Sequence, residues 1–183
     1  DEFLRKTDIF AYDSESRYFR WTAELDLTAS FSQVLEGIRQ EIQKGSGKIG
    51  IEDTGGTGVS GVEELGGFQS MTVGGRNDSG MVTDLSLQFE NGKVHLYNEN
   101  TIRSVLGKAM TAVTDKNGES VHTLNMLPSA AFSVEDRGGG KVTLYGGGLG
   151  HGIGMSQYGA DGMAKAGKSY GDILTFFFSG AEI

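Results

Sequence analysis

The chain is expected to adopt an α+β fold, with short antiparallel strands and glycine-rich loops followed by C-terminal helices. Three observations carry that expectation. Strand-like runs alternate with four glycine clusters, at 45–61, 66–75, 138–154 and 159–171. One internal segment, 31–43, repeats its apolar residues at helical spacing. The last part of the chain reads as helix, and strands followed by terminal helices fit α+β better than a parallel α/β sheet.

Each element has its own warrant. Residues 21–28 read as a strand. Residues 31–43 place Phe31, Val34, Leu35, Ile38 and Ile42 on one helical face, with Ser30 or Ser32 as N-cap. Residues 48–52, 67–74, 80–90 and 93–97 read as strands, the last two joined by Asn91-Gly92, a two-residue hairpin signal. A short helix is expected at 101–107, capped by Asn100 and stopped by Gly107. Residues 130–135 and 141–145 pair across 136–140. Helices at 156–166 and 170–178 end the chain, closed by Ser179-Gly180. On the first of them, Met155, Gly159, Met163 and Ala166 are expected to form the buried face.

At 183 residues, one domain spanning 1–183 is the default. The formal net charge of −8 argues against nucleic acid or an anionic membrane as the main partner. Cysteine is absent, which excludes disulfides, a thiolate nucleophile and cysteine metal ligands. His95, His122 and His151 stand isolated, so no metal and no cofactor is expected. No run approaches the roughly 18 apolar residues of a membrane helix.

Two short patterns are read as coincidence. Residues 162–169, GMAKAGKS, match the Walker A expression. A phosphate loop needs a strand before it and a long helix after it, whereas helix precedes it here and 14 residues follow. Lys168 is instead expected near a helix C-terminus. Asp53-Thr54-Gly55 is the aspartic-protease tripeptide, but that chemistry needs two such carboxylates and the sequence has one copy, in a glycine-rich loop.

The segment 146–160, GGGLGHGIGMSQYGA, is the candidate site. Seven of its residues are glycine, and so dense a cluster implies unusual φ or a closely approaching ligand. Gly150 and Gly152 flank His151, while Ser156, Gln157 and Tyr158 open a helix. These six residues offer donors, acceptors, accessible backbone and one aromatic face, the mixture a sugar chain requires. Alternatives stay open: His151 fixing its own loop, or a Ser156–His151 acyl-transfer pair, which lacks the nucleophile-elbow pattern and an orienting carboxylate. A hydrolase using Asp161 and Asp172 is the remaining option.

The same block carries a resemblance. GHGIGMSQYGADGMAKAG, followed by Tyr170, Ile173-Leu174 and the terminal Ser-Gly-x-x-Ile, resembles the closing signature of the stage II sporulation protein D family (SpoIID/LytB domain). Residues 102–107 (IRSVLG) and 127–134 (LPSAAFSV) resemble two further family blocks, and 79–82, 3–5 and Trp21 do so more loosely. The resemblance implies action on bacterial peptidoglycan. For members that are enzymes it implies lytic transglycosylases that cleave glycan strands stripped of stem peptides, so the expected partners of this chain are peptidoglycan glycan strands and other cell-wall or sporulation proteins. It also implies an extracytoplasmic, cell-wall-facing location.

Two departures qualify that expectation. The family's glutamate block resembles leucine-x-glutamate-tyrosine followed by glutamate-methionine-proline. It is absent from these residues, as are the cysteines and histidine of members with zinc. The expectation is therefore a domain truncated at its N-terminus, holding the substrate groove without an identified catalytic residue, and leaving an exposed apolar surface. The alternative is a non-catalytic glycan-binding or scaffold module. Secondly, Phe176-Phe177-Phe178 stands where the family often shows a histidine before two aromatics.

Overall fold

The computed structural model describes residues 2–54, 56 and 58–180. Asp1, Gly55 of the Asp-Thr-Gly tripeptide and Ile183 of the terminal Ser-Gly-x-x-Ile lie outside the described residues.

Two four-stranded antiparallel sheets form the body, and the α+β class holds. The first has the order β6-β1-β8-β7, from β1 (Trp21–Asp26), β6 (Met110–Asp115), β7 (Phe132–Gly138) and β8 (Lys141–Gly146). The second has the order β2-β5-β4-β3, from β2 (Ile49–Asp53), β3 (Phe68–Arg76), β4 (Val82–Phe89) and β5 (Gly92–Tyr97). The first sheet is closed by distant strands: β1 pairs on one side with β6 and on the other with β8. The described residues form five α-helices: α1 (Glu2–Arg5), α2 (Phe31–Gln43), α3 (Glu99–Gly107), α4 (Gln157–Lys165) and α5 (Tyr170–Phe177).

Alternation decides which strand face is buried. Trp21, Ala23 and Leu25 of β1 point inward, as do Leu85, Leu87 and Phe89 of β4 and Val94 and Leu96 of β5. Helices α2 and α3 pack on each other, and α3 also packs against β4 and β5. Val34, Leu35 and Ile38 of α2 and Ile102, Val105 and Leu106 of α3 join one continuous core with both sheets. The expected helical face of α2 is thus the buried one, apart from Ile42, which is exposed.

Several boundaries move, each for a local reason. The strand expected at 21–28 stops at Asp26, whose side chain accepts from Ala29 N–H and whose carbonyl accepts from Ser30 N–H. Residues 80–81 lie in a tight turn rather than in a strand, because the Asn77 side chain accepts from the N–H groups of Ser79 and Met81. The β4–β5 hairpin turns at Glu90-Asn91, one residue before Asn91-Gly92. The N–H groups of Glu90 and Asn91 donate to Gly67 and Leu65 carbonyls, and Gly92 is already in β5 opposite Asp53.

The cap of α3 is Asn98, not Asn100; its side chain accepts from Asn100 N–H. Gly107 ends α3 without a left-handed φ. A Cβ there would lie 2.6 Å from Met126 Cα, so close approach of the 125–126 backbone requires glycine. Residues 110–115 were not expected as a strand. This edge strand buries only Val113 and Asp115, so its pattern is too polar to announce it without β1 alongside.

Both coincidental patterns resolve as structure. Gly162 to Lys165 of the Walker-like run are the end of α4, and Gly167 takes φ +80° in a C-terminal motif where Lys168 N–H donates to Met163 O at 3.0 Å. Ser169 caps α5 with a reciprocal bond to Asp172. Asp53 closes β2, and its carboxylate accepts from Gly58 N–H at 2.7 Å. Among the described residues, no helix is long and apolar enough to cross a membrane.

Candidate functional site

The glycine-rich loop leaves β8 at Gly146, where the Trp21 indole lies so close that an added Cβ would overlap it, 2.1 Å from Cζ2. From there the loop is fastened by three backbone bonds to two other segments. Gly147 N–H donates to Ala131 O at 3.0 Å, Gly148 N–H to Tyr18 O at 2.8 Å and Gly150 N–H to Pro128 O at 2.9 Å. Ser129 Oγ donates to Gly147 O at 2.7 Å, and Trp21 Nε1 to Gly148 O at 3.1 Å.

Pro128 in turn is held from behind by Arg103 of α3. This buried guanidinium donates to Leu127 O at 2.9 Å and Pro128 O at 3.0 Å. Burial lowers its pKa from the ordinary arginine value, but arginine remains a cation in proteins. The 102–107 and 127–134 blocks therefore meet in space to position the loop that carries His151.

Beyond Gly150 the fastening ends and left-handed backbone takes over. Gly150, Gly152 and Gly154 have φ of +128°, +75° and +85°, a sequence of conformations closed to side-chain-bearing residues without strain. A Cβ on Gly152 would also meet Met81 Cε at 2.4 Å. The loop so folded borders a cavity of about 420 Å³. All six sequence-derived site residues, Gly150, His151, Gly152, Ser156, Gln157 and Tyr158, line it.

Their hydrogen bonds assign what each can offer. His151 Nδ1 accepts from Ile153 N–H at 3.0 Å, so a neutral ring carries its proton on Nε2 and presents a donor. Ser156 is the N-cap of α4: its Oγ accepts from Gly159 N–H at 3.0 Å and keeps its own proton to donate. Gln157 and Tyr158 begin the helix exposed, the tyrosine at 49%. Among the described residues, Ser156 and His151 make no hydrogen bond to each other, so the acyl-transfer pair is not formed. Asp161 is paired with Lys165 at 2.9 Å and Asp172 caps α5; neither lines the cavity. Met155 and Ala166 are exposed, which leaves Gly159 and Met163 as the buried face of α4.

Sequence reasoning missed the rest of the cavity lining. Asp13, Ser16, Met81 and Ser129 line the same cavity, and Asp13 is the one carboxylate among its described lining residues. Asp13 sits in a series of tight turns, with Ser14 N–H bonded to Ala11 O, Ser16 N–H to Asp13 O and Phe19 N–H to Ser16 O. Arg20 ties this segment down through the carbonyls of Lys6, Phe19 and Phe3. Burial lowers the Arg20 pKa, and the nearby Asp13 charge opposes that shift. No periodicity marks such a turn series; the looser likeness at Trp21 and 79–82 was the available pointer.

No family model matches the chain. It is similar to Stage II sporulation protein D of Bacillus amyloliquefaciens, 51% identical over 57 residues, and to that of Bacillus subtilis (strain 168), 49% over 57 residues. Each match covers 31% of this chain and 16% of the relative. The Amidase enhancer of Bacillus subtilis is 56% identical over 43 residues, 24% of this chain and 6% of that protein. The resemblance to the stage II sporulation protein D family is thus shown, at 49–56% identity over about a third of the chain or less.

Proposed function

We propose that this chain provides the substrate groove of an extracytoplasmic lytic transglycosylase that acts on denuded peptidoglycan strands. One observation supports it above the rest: the cavity gathers residues 148–158 of the glycine–histidine segment and includes a carboxylate, Asp13, in its lining. His151 Nε2–H and the Tyr158 hydroxyl donate to sugar oxygens, the Gln157 amide both donates and accepts, and Asp13 accepts from sugar hydroxyl or acetamido N–H groups. Left-handed glycines let the glycan lie against backbone rather than against side chains.

Cleavage in this class needs one protonated carboxyl to give its proton to the leaving glycosidic oxygen. The sugar's C6 hydroxyl closes a 1,6-anhydro ring, so no second carboxylate activates water, unlike ordinary glycoside hydrolysis. The residues named here bind and orient. A second reading, a non-catalytic cell-wall module working with other wall or sporulation proteins, draws on the relative named Amidase enhancer, whose name describes an effect on another enzyme.

Calorimetric titration of denuded glycan strands into the chain tests the shared element of both readings. Binding is expected, with at least a tenfold loss in His151→Ala at unchanged melting temperature; absence of binding by the unaltered chain overturns the proposal. Mass spectrometry of strands incubated with the longer parent protein that carries this groove then separates the readings. Anhydromuramyl ends identify the transglycosylase, and intact strands the binding module.

A further inference from the structure

Helix α5 buries none of its residues, although its sequence is YGDILTFF. Tyr170, Phe176 and the following Phe178 are 72%, 62% and 46% exposed, and Phe10, from the N-terminal segment, is 85% exposed. Surface aromatics in such density carry a cost in water and mark a contact surface. Here they are also ordered among themselves. Phe10 stacks edge-on against Tyr12 with centroids 5.7 Å apart, Tyr12 against Phe176 at 6.4 Å, and Phe176 against Phe177 at 5.0 Å.

This row is built onto the same two segments that form the cavity. Tyr12 immediately precedes Asp13, which lines it. A Cβ on Gly162 of α4 would overlap the Tyr12 carbonyl oxygen, so α4 is pressed against the base of the row. The Phe177 ring reaches to 3.0 Å from where a Cβ of Gly159 would stand, and Gly159 N–H is bonded to Ser156 in the cavity wall. The nine residues of α4 span only about 14 Å. Cavity and aromatic row are therefore built on the same short segments, Tyr12-Asp13 and α4.

We propose that Phe10, Tyr12 and Phe176 are an aromatic platform that extends the cavity and takes further sugar rings of the same glycan strand. It rests on the glycan reading of the cavity and adds a second, apolar subsite. A pyranose ring has one face of C–H groups with slight positive charge, which suits the negative face of an aromatic ring. The cavity supplies hydrogen bonds and sets register; the platform supplies area and rewards length.

The test is calorimetric titration of the chain with N-acetylglucosamine oligomers from dimer to hexamer, on unaltered protein, Phe176→Ala, Phe10→Ala and His151→Ala. Both phenylalanines are exposed, and unchanged melting curves will confirm that the variants fold. The dimer is expected to bind all but His151→Ala equally. The hexamer is expected to bind the unaltered chain at least tenfold more tightly than the dimer, and Phe176→Ala to lose most of that gain. If the dimer binds and the gain with length is absent, or persists in both phenylalanine variants, the platform is overturned while the cavity reading stands. If no oligomer binds, the platform is overturned; if denuded glycan strands also fail to bind, the cavity reading fails with it. Self-association that Phe176→Ala abolishes, with no gain in affinity with oligomer length, assigns the row to a second copy of the chain and overturns the proposal.

Discussion

The two sheets and the loop–helix end of this molecule are stabilised in opposite ways. In the sheets, stability comes from burial: Phe89, Phe132, Leu85, Leu96 and Leu106 are all 1% exposed or less, and one core runs through both sheets and α2–α3. In the segment 146–178, Met163 is the one large apolar side chain buried among the described residues. That end is held instead by backbone bonds to Ala131, Tyr18 and Pro128 and by the Ser156 and Ser169 caps. The difference teaches that glycines and caps can fix a loop's shape while leaving its side chains free to meet a ligand.

The largest effect that would test this division is a core truncation. Phe132→Ala is expected to cost about 3–5 kcal/mol by chemical denaturation. Tyr158→Ala, on the cavity rim, should fall within about 0.5 kcal/mol of the unaltered chain while weakening glycan binding. Equal losses of stability would erase the contrast between the two regions.

Arg103 is where the regions join, so it should affect both. Replacing it with Met removes donors to Leu127 and Pro128 carbonyls, at about 2–3 kcal/mol for charged hydrogen bonds. Because Pro128 O also receives Gly150 N–H, glycan affinity should fall although Arg103 does not line the cavity. A destabilised variant with unchanged affinity would show that the loop holds its shape without α3.

The smallest effect concerns pH and belongs to the sheet alone. Asp115 at the end of β6 has a side chain 1% exposed. Burial pushes its pKa upward, but the Glu119 N–H, Arg17 and the Asn117 N–H push it down further, to a net value below the usual carboxylate range. A lowered folded pKa contributes stability that is fully present above the unfolded value of about 4 and is lost as pH falls through the folded value. Melting temperature should therefore drop, as pH falls through the unfolded value of about 4 and below it, less steeply in Asp115→Asn than in the unaltered chain. Glycan binding at neutral pH should be the same in both; a change there would mean the sheet end communicates with the loop.

What the sequence determined alone is local. The period of 31–43 placed α2 to the residue, and the helices expected at 156–166 and 170–178 lie within one residue of α4 and α5 at either end, because helical patterning is decided within a few residues. The density of glycine around His151 marked the loop, since left-handed φ leaves few other residues to choose from. Tertiary structure decided whatever needed a distant partner. Strand β6 exists because β1 offers it an edge, and the hairpin turn sits at Glu90-Asn91 because Leu65 and Gly67 accept its N–H groups. Asp13 stands in the wall of the His151 cavity although more than 130 residues separate them in the chain. Spacing along a sequence reports only neighbours along the backbone, and a cavity wall is made of neighbours across it.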